Sequence, residues 1–112
     1  MIYILDQITL KPGCVGAFMG CFEADYLPAA VRRNMKLFLR SVSPPVELED
    51  HSSEVILLWQ INEIGDFWSM RKEAKIDASV ASFWQTCEAW IETRNRKVLS
   101  PYSSDSEELA NV

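Results

Sequence analysis

The sequence is poor in the residues that mark common catalytic and metal sites. It has one histidine, His51, and three cysteines, Cys14, Cys21 and Cys87, with no CxxC spacing. An odd set without that spacing suggests neither a disulfide framework nor a zinc site. A two-histidine metal site would need His51 from each of two subunits. Ser-His-Asp order, a Gly-rich phosphate loop and GxSxG are absent. The expectation is no metal and no cofactor. Basic excess is missing too: 11 Lys and Arg stand against 16 Asp and Glu, a net charge of −5. That balance argues against nucleic acid and anionic membranes as partners. The apolar stretch Met1–Leu10 is too short to cross a bilayer and lacks the basic region and cleavage site of a signal peptide. A soluble, cytoplasmic protein with reduced thiols is expected.

What the chain does have is apolar and aromatic bulk. Its 112 residues are 48% hydrophobic and 11% aromatic, enough for one domain with a genuine core. Ile2–Leu10 is rich in β-branched residues and reads as a strand. Lys11-Pro12-Gly13 breaks it, and Val15, Phe18, Met19, Phe22 and Tyr26 follow at helical spacing until Pro28 kinks or ends the helix. Met35–Ser43 is a second strand, closed by Pro44-Pro45. The acidic segment Val46–Glu54 reads as a loop, and Val55–Ile61 as a third strand. Asn62 or Asp66 caps a helix to about Ala74, and Asp77 caps another whose apolar positions run from Val80 through Trp84 to Ile91. Lys97–Tyr102 is a short last strand. The domain is thus 1–102, with 103–112 an acidic tail that has nothing to bury and is expected to be disordered.

The order β-α-β-β-α-β is the split ferredoxin-like motif, an α+β fold whose four-stranded antiparallel sheet carries its helices on one face. Val55 to Trp59 is apolar at every position, so both faces of that strand are expected to be dry. The helices cover one face only. A second copy is the simplest cover for the other, giving a twofold homodimer with sheets face to face.

Several segments together carry a resemblance. They are MIYILDQITLKPG at Met1–Gly13, ILLW at Ile56–Trp59, the helix with Arg71, and the run from Asp77 through Phe83-Trp84 to VLSP at Val98–Pro101. Over about Met1 to Tyr102 the chain resembles the dimeric α+β barrel superfamily, and within it the NIPSNAP-type branch. It departs from that branch at Ile4 and Asp6, where a glutamate and an arginine are frequent, and at Leu57, where a histidine is frequent. The superfamily includes cofactor-free monooxygenases, polyketide cyclases, lactone isomerases, haem enzymes and proteins with no known reaction, so fold alone does not settle function. The resemblance implies a small-ligand cavity between sheet and helices or inside the barrel.

The residues that would work there are few. Asp6 lies mid-strand between Ile4 and Ile8, where burying a charge without a partner is costly. Either it pairs with an arginine or sits at the dimer edge, or it is a proton-moving carboxylate in an apolar pocket. Arg40, mid-strand among Phe38, Leu39 and Val42, is a salt-bridged or snorkelling cation, or the holder of a substrate anion. His51 is a general base by residue type, but its polar surroundings read as a solvated loop. Tyr3, Trp59, Phe67, Trp68 and Trp84 are candidate pocket walls, although Trp84 and Trp90 also fit a core helix face. Arg71 reads as part of a solvated helix face together with Lys72, and enters as a site candidate through the resemblance alone. Two functions follow: a cofactor-independent enzyme acting by acid/base chemistry on a small hydrophobic or aromatic substrate, or a non-catalytic small-ligand-binding or interaction protein.

Overall fold

The computed structural model describes residues 1–102. The expected tail therefore lies outside the described residues. Four strands, β1 (Ile2–Leu10), β2 (Lys36–Ser43), β3 (Ser53–Ile61) and β4 (Ile91–Leu99), form one antiparallel sheet in the order β2-β3-β1-β4. Period-two alternation decides which side of the two central strands is dry. In β1, Ile2, Ile4, Asp6, Ile8 and Leu10 are buried; in β3, Ser53, Val55, Leu57, Trp59 and Ile61 are buried. Each fully buried aliphatic of this set contributes about 1.5–3 kcal/mol. The intervening residues, among them Tyr3, Leu5, Ile56 and Leu58, point to the opposite face and remain half-buried in a single chain.

Helices cover the buried face. Helix α1 (Val15–Cys21) starts beyond Gly13, whose φ of 78° the glycine tolerates without strain. It passes through a π-helical segment, Phe22–Tyr26, into α2 (Leu27–Arg32). Helical structure thus does not stop at Pro28. The proline falls in the first turn of α2, just after the wider π turn, where its missing N–H costs least. Helix α3 (Ile64–Ile76) follows β3 with Glu63 at its cap position and no side-chain cap bond, so neither Asn62 nor Asp66 takes that role. Asp77 does cap α4 (Ala78–Cys87): its carboxylate accepts from the Ser79 backbone N–H at 2.9 Å and the Ser79 hydroxyl at 2.7 Å.

The largest departure from the sequence reading is the last strand. It begins at Ile91, not Lys97, and ends at Leu99. Residues 91–96 continue no helix; α4 stops at Cys87 and a 3₁₀ turn, Glu88–Trp90, redirects the chain. The strand pairs with β1 from Ile91 to Leu99, with a bulge at its start. As an edge strand exposed along most of its length, it needs little apolar patterning to hold its place.

Aromatic packing joins the layers. Phe18, Phe22, Tyr26, Phe83 and Trp59 form one buried cluster with neighbouring ring centroids 4.9–6.5 Å apart. Trp59 is fully buried, so its indole N–H must find a partner in the core.

Candidate functional site

The register lays four residues in one cross-strand row on the helix side of the sheet: Arg40 opposite Leu57, Leu57 opposite Asp6, and Asp6 opposite Arg96. Asp6 therefore has an arginine on each side. Strands lie about 4.8 Å apart, so Arg96 is one step away and Arg40 two, with Leu57 between. The nearer arginine wins. Arg96 Nε donates to Asp6 Oδ1 at 2.6 Å and its Nη2 to Oδ2 at 2.9 Å, while Trp59 Nε1 donates to Oδ2 at 2.9 Å. The indole and the carboxylate thus satisfy each other. Burial lowers the Arg96 pKa, but the hydrogen bonds and charge of Asp6 more than reverse this and leave it raised. Asp6 is buried, whereas the Arg96 side chain is 37% exposed, so the pair bridges core and solvent.

Arg96 also reaches Tyr26, whose phenol oxygen accepts from Nη2 at 3.3 Å. The Tyr26 ring lies 5.5 Å from Trp84, edge to face, and the Arg94 guanidinium stacks 3.8 Å above Trp84. Between β4 and the α3–α4 pair these side chains line a cleft. One lobe of about 280 Å³ is walled by Asp6, Tyr26, Trp84, Arg94 and Arg96. A second, about 330 Å³, is walled by Ile4, Phe67, Met70, Arg71, Arg96 and Val98. A third, about 710 Å³, extends along α3 past Trp68, Arg71, Lys72 and Lys75, again touching Arg96. Each lobe is of small-molecule size or just below it.

The structure brings Asp6, Trp59, Phe67, Trp68, Arg71 and Trp84 to or around this cleft, with Trp59 behind Asp6 rather than in a lobe's wall. Three sequence candidates lie elsewhere. Arg40, on the edge strand β2, donates to Glu23 of the helical layer at 2.7 Å and does not meet Asp6, because β3 intervenes. His51 is exposed in the β2–β3 loop, its backbone N–H bonded to the Leu48 carbonyl. Tyr3 points to the open face of the sheet. The reading of the residues missed Tyr26, Arg94 and Arg96. The signal for the two arginines was Arg-Asn-Arg, alternate cations that share a face once the segment is a strand.

The cysteines stay apart from the cleft. Burial and the neighbouring Cys21 push the Cys87 thiol up to about 12, and burial followed by Asp25 raises Cys21. All three are free thiols.

No family model and no curated relative matches the sequence. Solved structures do. A NIPSNAP domain protein from Burkholderia xenovorans superposes with a TM-score of 0.71 at 14% identity, covering 93% of this chain and 97% of that one. A NIPSNAP family protein of unknown function from Agrobacterium tumefaciens gives 0.72 at 19% identity, with 94% and 91% covered. A candidate antibiotic biosynthesis monooxygenase from Nitrosomonas europaea gives 0.66 at 12% identity, with 92% and 100% covered. Such identities establish fold rather than activity. The chain has a four-stranded α+β ferredoxin-like fold, the fold that these NIPSNAP domain proteins also have.

Proposed function

We propose that this chain binds a small, planar, hydrophobic ligand in the cleft between β4 and the α3–α4 pair, and promotes cofactor-independent acid/base chemistry on it. The observation that carries this is Arg96. Its guanidinium is pinned by Asp6 at two points, touches Tyr26, and still reaches the cleft. A donor held in place before the ligand arrives costs no reorganisation when charge develops.

The chemistry that suits it is deprotonation of a carbon next to a carbonyl. The C–H bond breaks, its proton passes to water in the open cleft, and the electron pair moves onto the carbonyl oxygen. Arg96 and the Tyr26 hydroxyl would meet that oxygen. Asp6 would act as a positioning residue, since three donors already occupy its carboxylate. That same saturation favours the second reading, a protein that binds without turnover.

A library of aromatic ketones, phenols and acids, screened by thermal shift and mapped by amide NMR shifts, tests the site. Ligands should perturb α3, α4 and β4, and Arg96→Gln should weaken them. Accelerated exchange of a bound ketone's α-hydrogen in D₂O supports catalysis, and binding without it supports the second reading. Binding confined to the open sheet face, or none, overturns the site.

We also propose that the chain assembles as a homodimer through the open face of the sheet. Phe38 and Leu39 are exposed there and at the β2 bulge, and Leu5, Ile56 and Leu58 are only half-covered.

A further inference from the structure

The net charge of the chain is −5, yet the cleft has the opposite sign. Its three lobes share Arg96 and are lined by five cations, Arg71, Lys72, Lys75, Arg94 and Arg96, and by a single carboxylate, Asp6. Asp6 is already neutralised by Arg96. Among the described residues no carboxylate lies within ion-pairing distance of the other four. An ordinary solvated surface mixes both signs; this one does not.

Two of the four unpaired cations are held in place by aromatic rings. Arg94 stacks 3.8 Å above Trp84, and Arg71 lies 5.9 Å from both Phe67 and Trp68. A guanidinium fixed over a ring keeps its N–H fork free at the edge and loses little further freedom on binding an oxyanion. Arg71 and Arg94 come from opposite walls, α3 and β4, with apolar Ile4, Val98 and Met70 in the lobe beside Arg71. This combination suits a flat apolar body ending in a charged oxygen pair.

We infer that the ligand of this cleft is an aromatic carboxylate, its ring against Trp84 and Phe67 and its carboxylate held by Arg71 or Arg94 beside Arg96. This rests on the small-molecule reading of the cleft and adds the sign of the ligand's charge. Arg71 and Arg94 become its specificity residues.

The test uses matched probes on the full chain: 2-naphthoate against 2-naphthylmethanol, and biphenyl-4-carboxylate against 4-biphenylmethanol, titrated by amide NMR shifts. A carboxylate should bind about tenfold or more tightly than its alcohol, the size of one charge-assisted hydrogen bond. That advantage should shrink as salt rises from about 0.01 M to about 1 M. Arg71→Gln or Arg94→Gln should reduce carboxylate affinity by a similar factor and leave the alcohols unchanged; both side chains are exposed, so neither change threatens the core. Equal binding of acid and alcohol in the cleft overturns the charge assignment while the small-molecule site stands. Binding of no probe in the cleft overturns both.

Discussion

Asp6 and Arg96 are joined by two short hydrogen bonds, but the two ends of that pair are not equivalent. The Asp6 side chain is 4% exposed and the Arg96 side chain 37%. Removing the charge from Asp6 leaves Arg96 able to turn towards water, and the amide oxygen of an asparagine can still accept from Trp59. Removing Arg96 leaves a buried carboxylate with one indole donor. Arg96→Gln should therefore destabilise by about 3–5 kcal/mol, the cost of an unpaired buried charge. Asp6→Asn should cost about 1–3 kcal/mol, the scale of a weakened hydrogen-bond set. Urea unfolding of the two variants checks the order; equal losses would mean that Arg96 is as trapped as its partner. A lone carboxylate between Ile4 and Ile8 announced in the sequence that it needed a partner. It could not announce which one, since Arg40 and Arg96 are both alternate-face strand residues once the register is known. Only the sheet order, which places β4 beside β1, makes the choice.

Among the elements, those with strong internal periodicity were legible and those without it were not. β1 alternates and sits where its alternation says. β3 is apolar at every position from Val55 to Trp59, so the sequence located it but not its inner face; that was set by pairing Leu57 with Asp6 and Trp59 with Ile4. β4 carries Glu-Thr-Arg-Asn-Arg-Lys in its interior, and its strand state comes from hydrogen bonding to β1, a tertiary effect that local propensity does not contain. Starting the last strand at Lys97 left Arg94 and Arg96 outside it and hid the cationic wall of the cleft. The start of α4, in contrast, was local chemistry and was readable. The Ser79 hydroxyl, followed by the Ser79 backbone N–H, draws the Asp77 pKa below its usual value, with a smaller push from Arg33. A carboxyl lowered in the fold stabilises above its unfolded value, about 3.9, and that contribution disappears as pH falls through the folded value. Stability measured by urea between about pH 5 and about pH 2 should thus fall less steeply in Asp77→Asn than in the parent chain. Parallel profiles would show that the cap bond does not couple to folding.

At the scale of the molecule the open question is what covers the second face of the sheet. Its centre pairs Leu5 with Leu58 and Leu58 with Leu39, flanked by Tyr3 and Ile56, while Gln7, Thr9, Asn95 and Glu54 make one end polar. An apolar centre with a polar border is the pattern of an interface core and rim. The helices lie on the other side, and no segment of the described residues folds back over this face. A twofold axis through Leu58 would set two such centres against each other and leave both ligand clefts, on the helix side, accessible. Light scattering should then give twice the 12.8 kDa chain mass. Leu58→Lys places an unpaired charge at the centre of that contact, where its desolvation goes uncompensated. The dimer dissociation constant should rise by about 100-fold or more, since about 2.8 kcal/mol suffices for that factor. The half-buried position should tolerate lysine in the lone chain, so the variant should stay folded and elute as a monomer. A wild-type chain that scatters as a monomer at every concentration, or a Leu58→Lys chain that remains dimeric, would move the interface off the sheet.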